Sequence, residues 1–388
     1  MSDLNIVPNG AVLIRNGVIE HVGPARRLEN LAGARKAREI DATGKVVMPA
    51  FVDADVALVT PAPPRAPEEE LREEPVALSL LSGKRMLEKA SAMAGECARY
   101  GSLSVGAHTR CATDLQNVGR VLRAHQALQM KPLRIRSIFS PRFPTGTTKS
   151  SAQLVETLIG KWLPSIKTRK LSGLLEFTVA ESDFCGAGGD TKVPDTAGLR
   201  AVAIEAAGLG YAIRLRSTYC LEPADLQLAL AAGATAIVAP MDTLRAFTGP
   251  LASIGCVRVI PASEGFDESV TAAEAIRRGL DEGAAIALTS SYRTLHASSL
   301  NMQYLLHLGV HTLGLSEEEA ITATTWNAAC SLRLSHVAGS LEPGRPADLI
   351  IMDVPDFREL PRRAGHHDAA VVMRAGQIVY RSAPLNVN

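Results

Sequence analysis

The chain has 388 residues, of which 46% are hydrophobic and 21% charged, a composition typical of a globular protein with a substantial core. A total of 41 Lys and Arg residues against 40 Asp and Glu residues gives a net charge of +1, and aromatic residues make up only 4%, so the composition argues against nucleic-acid partners and against electrostatic attachment to a membrane. No signal peptide or long apolar span is visible and the six cysteines are scattered without a Cys-x-x-Cys pair, so we expect a cytoplasmic protein with buried free thiols.

Both ends of the chain consist of short β-type runs. The runs 11–15 and 17–23 are joined by Asn16-Gly17, which is a strong hairpin signal. The C-terminal residues show the same pattern, and strands at the two ends of a chain often share a sheet. We therefore expect residues 1–49 and 339–388 to combine into one small β-sandwich domain. The C-terminal runs are 348–353, 370–374 and 377–380.

Between residues 50 and 338, short apolar runs alternate with amphipathic helical stretches. Eight strand candidates in this alternation predict an α/β fold, a (β/α)8 TIM-type barrel. A doubly wound α/β sheet is the alternative, although no Gly-x-Gly-x-x-Gly follows the first strand, which weakens its dinucleotide-binding version. The predicted strands are 46–52, 103–107, 133–139, 174–179, 211–215, 235–239, 257–260 and 285–289, and the predicted helices include 77–99, 112–127, 195–208, 222–232 and 268–281.

Two parts of the chain carry a resemblance to a known family. Residues 44–59 contain an apolar run ending on Asp53-Ala54-Asp55-Val56-Ala57, which is similar in sequence and position to the first barrel strand of the amidohydrolase superfamily. Residues 300–361 closely resemble imidazolonepropionase, and within them Ser316 is predicted to cap a helix with Glu319 as its capping-box partner. The resemblance covers nearly the whole chain. It implies a metal-type amidohydrolase barrel with a small β-sandwich formed by both termini.

The chain departs from that family at the metal ligands. Members usually bind a catalytic metal through a His-x-His pair on the first strand, histidines on the third, fifth and sixth strands, and an aspartate on the last strand. By the resemblance, the first-strand pair corresponds to Asp55 and Ala57, and the histidines of the third, fifth and sixth strands to Arg142, Arg216 and Ala239. The aspartate of the last strand corresponds to Ser291. The family's second-strand lysine corresponds to His108, and its fourth-strand glutamate is retained as Glu181.

These replacements predict a barrel without the family's metal. Catalytic zinc typically takes three protein ligands of the His, Asp, Glu or Cys type and leaves a position for water. Of the replaced positions only Asp55 offers a conventional ligand, and Arg216 would repel a divalent cation. We therefore predict no metal, no other cofactor and no assignable catalytic residue.

The mouth of the predicted barrel is rich in arginine instead. Arg142, Arg216 and Arg293 lie at strand ends, with His108 and Arg110 nearby, and arginine suits bidentate contacts with carboxylate or phosphate. One interpretation is an anion-binding site in which carboxylates act as counter-charges or as acid and base groups. The other is that the arginines pair with the carboxylates and replace the metal structurally. The candidate ligand-binding residues are Asp55, His108, Arg142, Glu181, Arg216, Ser291 and Arg293.

Two functions follow from these residues. The first is a non-hydrolytic binding or partner protein on an imidazolonepropionase-like scaffold, a pseudoenzyme. The alternative is a metal-independent hydrolase, or a related enzyme, acting on non-peptide C–N bonds of a small anionic substrate at the barrel mouth. The expected partners are a small anionic ligand and, by the family resemblance, a second copy of the chain or an active paralogue; neither a nucleic acid nor a membrane is expected.

Overall fold

The structure is a computed structural model that describes residues 3–59, 77–144, 146–179, 191–217, 223–239, 255–261, 270–292 and 299–382. An eight-stranded parallel sheet forms its centre, and strands from both ends of the chain form antiparallel sheets beside it. In chain order the strands are β1 (Gly10–Arg15), β2 (Val18–Pro24), β3 (Val46–Pro49), β4 (Phe51–Val56), β5 (Ser102–His108), β6 (Arg134–Phe139), β7 (Phe143–Pro144), β8 (Leu174–Val179), β9 (Thr191–Lys192), β10 (Ala212–Ser217), β11 (Ala236–Val238), β12 (Val257–Pro261), β13 (Ala285–Thr289), β14 (Leu349–Met352), β15 (Ala369–Arg374) and β16 (Gln377–Arg381).

The parallel sheet is a barrel. Its strands, β4, β5, β6, β8, β10, β11, β12 and β13, lie side by side in chain order. The first and last strands meet through a parallel bridge between Val56 and Tyr292, where the Ala57 N–H donates to the Tyr292 carbonyl at 3.2 Å. The predicted (β/α)8 barrel is confirmed. The doubly wound alternative is wrong, because the strand order never reverses.

Helices lie between the barrel strands close to where the amphipathic pattern predicted them. Side-chain caps fix several of their starts: Asp114 accepts from the Asn117 N–H at 2.8 Å, and Ser316 with Glu319 forms the predicted capping box. The helices are α1 (Ala25–Leu28), α2 (Gly83–Arg99), α3 (Leu115–Leu128), α4 (Ser151–Thr157), a π-helical turn (Leu158–Trp162), α5 (Leu163–Thr168), α6 (Thr196–Gly208), α7 (Pro223–Ala231), α8 (Val270–Asp281), α9 (Met302–His311), α10 (Glu317–Thr324) and α11 (Trp326–Ser331).

The predicted first strand, 46–52, is two strands in the structure. β3 pairs antiparallel with β14 in the terminal sheet, and β4 begins the barrel two residues later. The break falls at Pro49, which has no N–H to continue a ladder, and the Ala50 N–H then donates to the Asp348 carbonyl at 3.1 Å. A single apolar run therefore serves both sheets.

Both chain ends contribute to one antiparallel assembly, as predicted. β3 from the N-terminal part lies at one edge of a four-stranded sheet whose order is β16-β15-β14-β3. The β1–β2 hairpin packs on it, since Val12 and Ile14 contact the apolar side chains of that sheet. The exact division into residues 1–49 with 339–388 and residues 50–338 stays a prediction.

The base of the barrel is sealed by apolar packing. Ala328 and Ala329 of α11, with Leu332, contact the inward side chains of β4 and its neighbours. Because described side chains fill this end, we expect a ligand to approach the barrel centre from the mouth, at the carboxyl ends of the strands. Among the described residues no helix has the length and apolar character needed to cross a membrane.

Candidate functional site

Five charged side chains meet inside the barrel toward its mouth. They are fully or almost fully buried, with exposed fractions between 0% and 3%. Arg214 and Arg216 are two residues apart on β10, so both point to the same face of the strand. We call this set the ionic cluster; its members are Asp55, Arg110, Glu176, Arg214 and Arg216.

Asp55, at the end of β4, is surrounded by donors. Arg110 contacts it with two parallel bonds, from Nη1 to Oδ1 at 3.0 Å and from Nη2 to Oδ2 at 2.9 Å. Arg216 Nη2 and the Ser291 hydroxyl, the latter at 3.1 Å, both donate to Oδ2, and Arg214 Nη2 lies 3.5 Å from Oδ1. The bidentate contact with Arg110 is the strongest type of ion pair in proteins.

Glu176, in the middle of β8, has a similar environment. Its Oε1 accepts from Arg110 Nη1 at 2.8 Å and from the Ser140 hydroxyl at 3.1 Å, with Arg216 Nε at 3.4 Å. Its Oε2 lies 2.8 Å from Arg214 Nε. Each carboxylate of the cluster is thus in contact with the same three guanidinium groups.

These contacts fix the charge state of the cluster. Burial by itself would raise the pKa of Asp55, but the guanidiniums of Arg110 and Arg216 hold this pKa well below its ordinary value. The pKa of Glu176 is lowered in the same way. Burial lowers the pKa of Arg214, yet a guanidinium stays protonated at neutral pH. Both carboxylates and all three arginines are therefore ionised.

Asp53 is a second buried carboxyl on β4, but it is not part of the cluster. Its Oδ1 accepts from the Thr289 hydroxyl and, at 3.1 Å, from the Ser290 N–H. Burial raises its pKa to about 6. Asp53 thus titrates just below neutral pH, whereas Asp55, two residues away, does not.

Comparison with known proteins identifies the scaffold. A model of the amidohydrolase family matches residues 227–380. The imidazolonepropionase of Geobacillus kaustophilus is 29% identical over 98% of this chain and 92% of its own length, and that of Symbiobacterium thermophilum is 26% identical over the same shares. The chain is therefore imidazolonepropionase-like.

Solved structures of the superfamily share the fold. A zinc-bound adenosine deaminase from Xanthomonas campestris superimposes with a TM-score of 0.69 at 17% identity, covering 96% of this chain and 88% of its own. N-isopropylammelide isopropylaminohydrolase from Burkholderia multivorans gives a TM-score of 0.70 at 18% identity, with 97% and 95% covered. At these identities the likeness concerns the barrel architecture alone.

The residues that the sequence singled out in this amidohydrolase-like barrel have different placements. Asp55 and Arg216 belong to the ionic cluster, and Ser291 donates to Asp55. His108 is buried beside the cluster, where its Nδ1 faces the Arg110 N–H at 3.4 Å. Arg142 is half-buried, with Nη1 3.5 Å from the Arg110 carbonyl. Glu181 and Arg293 lie outside the described residues.

Sequence reasoning missed two members of the cluster and named a third only as a neighbour. Glu176 and Arg214 were passed over because they lie inside runs that were interpreted as apolar strands, and Arg110 was noted only for lying near His108. Their position inside apolar strands could have identified them, because a charged side chain that is buried in a strand needs an oppositely charged partner elsewhere in the barrel. The acidic residue of the fourth barrel strand that joins the described cluster is Glu176.

The described residues do not fit the divalent metal that the superfamily implies. The only carboxylates in the ionic cluster are Asp55 and Glu176, and each already contacts three guanidinium groups. A divalent cation between them would lie next to three positive charges in a buried environment. In the part of the chain that the structure describes, no group of three His, Cys, Asp or Glu side chains is arranged to hold a metal ion.

Proposed function

We propose that this chain is a non-hydrolytic member of the amidohydrolase superfamily, a pseudoenzyme that serves as a binding or partner protein. The observation that carries the proposal is the contact of both Asp55 and Glu176 with three buried guanidinium groups. Metal-dependent hydrolysis needs protein ligands that are free to bind the ion and an open position for water. Here the carboxylates are already held by permanent cations.

Metal content and turnover test this proposal together. The protein is expressed in medium supplemented with zinc and iron, and its metal content is measured by mass spectrometry. Hydrolysis of imidazolonepropionate is measured beside the Geobacillus kaustophilus imidazolonepropionase as positive control. We expect far less than one metal ion per chain, no turnover above background, and no change in melting temperature with a chelator. Stoichiometric zinc or iron, or turnover that a chelator abolishes, would refute the proposal.

A metal-independent hydrolase acting on non-peptide C–N bonds of a small anionic substrate is the second candidate. Asp53 favours it, because a buried carboxyl whose pKa is raised to about 6 is suited to proton transfer near neutral pH. In this mechanism Arg142 and Arg216 would polarise the substrate. The test is a screen of small amides and cyclic ureas bearing a carboxylate, followed by Arg142→Ala, Arg216→Ala and Asp53→Asn. Any turnover that all three variants retain would reject this mechanism.

We further propose a cytoplasmic protein that forms a homodimer or pairs with an active paralogue. Three of the described cysteines, Cys97, Cys256 and Cys330, are free thiols, which supports a reducing compartment. Light scattering on the purified protein and co-purification from its source cells test the assembly. A monomer that purifies alone would contradict it.

A further inference from the structure

We propose that the ionic cluster binds a small monovalent anion, so that the centre of this barrel takes a negatively charged group where its superfamily takes a cation. The inference rests on the proposed function, because it requires that no metal ion occupies the cluster. It identifies the ligand class of that site: a halide, a small carboxylate, or the carboxylate end of a larger ligand. Three observations support it.

The first observation is an excess of positive charge. Three guanidiniums, those of Arg110, Arg214 and Arg216, face two carboxylates, so one positive charge is unmatched among the described residues of the cluster. All five groups are at most 3% exposed, so bulk water screens this charge poorly. A buried uncompensated charge is costly. Asp53, the buried carboxyl outside the cluster, offsets it only when ionised and forms no ion pair with the three guanidiniums, so an anion in contact with them would compensate the charge directly.

The second observation is an excess of hydrogen-bond donors. Three guanidiniums carry roughly fifteen N–H donors in total, whereas two carboxylates offer about eight acceptor positions. The hydroxyls of Ser140 and Ser291 donate to the same two carboxylates and consume further acceptor positions. The Ala54 carbonyl accepts only one bond, from Arg214 Nη1 at 2.8 Å. Glu176 Oε2 has no hydrogen bond, although it lies 2.8 Å from Arg214 Nε. Donors still outnumber acceptors, so a ligand that accepts hydrogen bonds suits this set.

The third observation is an unpartnered donor. Arg110 Nε is buried and has no hydrogen-bond partner, although both terminal nitrogens of the same guanidinium are bonded. Asp53, the other buried carboxyl on β4, bonds Thr289 and Ser290 through Oδ1, and its free Oδ2 makes no hydrogen bond to Arg110 Nε. Arg110 Nε is therefore the donor at which we place the anion, approached from the barrel mouth.

Thermal unfolding tests the proposal with bromide and acetate as probes. Each is titrated against gluconate, a bulky organic anion, at constant ionic strength. We expect the melting temperature to rise with bromide, by roughly 2 °C for each tenfold increase in concentration above the dissociation constant. A parallel response to acetate indicates a site that takes carboxylates, and a response to bromide alone restricts it to halides. No difference from gluconate for either probe overturns the proposal.

Two variants and a diffraction experiment locate the effect. Arg110→Lys removes the Nε donor and should abolish the anion response. Arg134→Lys alters another buried arginine, which pairs with Asp348 away from the cluster, and should keep the response.

If Arg110→Lys fails to fold, anomalous scattering from bromide-soaked crystals of the unmodified protein decides: a peak beside Arg110 Nε supports the site, and peaks only at surface cations refute it. A metal-free protein without an anion response refutes this inference and leaves the proposed function standing, whereas bound zinc or iron refutes the proposed function itself.

Discussion

At the scale of single residues, the ionic cluster makes the stability of the barrel depend on a balance of buried charges. A complete buried ion pair contributes little compared with apolar residues of the same size, because desolvation offsets the attraction. Removing one partner is different, since it leaves the opposite charge buried and unpaired. Asp55 is the sharpest case, because three arginines contact it.

We therefore expect Asp55→Asn to lower the free energy of unfolding by about 3–5 kcal/mol. The substitution keeps the size of the side chain, removes its charge and replaces one acceptor oxygen by an NH2 donor. Urea denaturation at pH 7 measures the change. Glu88→Gln is the control, because the Lys84–Glu88 pair is exposed with its charged atoms 4.0 Å apart, and it should change stability by less than about 0.5 kcal/mol. A loss below about 1 kcal/mol for Asp55→Asn would contradict this account of the cluster.

Asp53 should give the protein a pH-dependent stability of its own. Its folded pKa, about 6, lies above the ordinary value of an aspartate, so its stabilising contribution is complete below the unfolded pKa and is lost as pH rises through the folded one. Relative to Asp53→Asn, the unmodified protein should therefore lose about 1.4 kcal/mol between pH 5 and pH 8. Urea unfolding of both proteins at the two pH values measures the difference. A gain in relative stability with rising pH would exclude a raised pKa.

The site could be predicted from the sequence only where a motif position was known. Asp55 and Arg216 were found because they replace expected metal ligands. Glu176 and Arg214 were not, since only the stagger between neighbouring strands decides which of their residues meet at the centre. Arg214 of β10 lies opposite Glu176 of β8, and this register cannot be predicted from the sequence of either strand alone.

At the scale of secondary-structure elements, close packing between strands explains one glycine. Gly106 on β5 lies against β4, and a Cβ atom there would be 2.4 Å from the Ala54 carbonyl oxygen and 2.7 Å from Leu332 Cδ2. Neither neighbour can move easily, because one is backbone and the other belongs to the packing that seals the base of the barrel. The strand therefore needs a residue without a side chain at this position.

Gly106→Ala should accordingly destabilise the protein by about 1–3 kcal/mol through overpacking. Gly95→Ala is a matched control of opposite sign: Gly95 is exposed in the interior of α2 with nothing within 4 Å of the added methyl group, so alanine should stabilise the helix by up to about 1 kcal/mol. Thermal and urea unfolding of both variants measure the pair. Equal effects of the two substitutions would show that strand contact is not the reason for Gly106.

Elements were easier to predict than their partners. The alternation of apolar runs and amphipathic stretches predicted the barrel strands, and the bounds of β8 and β13 agree with the predicted runs 174–179 and 285–289. The run 46–52 was the exception. Hydrophobicity does not distinguish one buried strand from two consecutive ones, and only Pro49 signalled the break.

At the scale of the whole molecule, a buried ion pair connects the barrel with the terminal sheet. Arg134, the first residue of β6, donates to Asp348 Oδ2 at 2.7 Å and to the Ser104 hydroxyl at 3.1 Å. Asp348 precedes β14, and its other oxygen accepts from the Ala375 N–H at 2.8 Å. One carboxylate thus joins a barrel strand to the turn between β15 and β16.

Arg134→Met should weaken this connection as well as the overall stability. We expect a loss of about 3 kcal/mol, because Asp348 remains buried without the cation that it contacts and keeps only a longer-range interaction with Arg374. Amide hydrogen exchange should become faster in β14 and β15 than in β10, which lies away from the junction. Asp348→Asn in the same background should recover part of the loss, as a double-mutant cycle measures. Uniform acceleration in all strands would indicate global destabilisation without a local link.

The overall architecture could be predicted because it depends on patterns that persist over many residues, namely alternation in the middle and β-type runs at both ends. The charge inside the barrel could be predicted only in outline. Replacement of the metal ligands was visible, but whether the arginines face one another or a ligand depends on side-chain directions that only the structure gives.

The pairing of β3 with β14 also sets an order of events during synthesis. β3 emerges from the ribosome early, together with β4, yet its hydrogen-bonding partner comes from the far end of the chain. Until that end has been made, β3 leaves the edge of an apolar strand uncovered beside the growing barrel. The nascent protein thus relies on a strand that is made late to protect one that is made early.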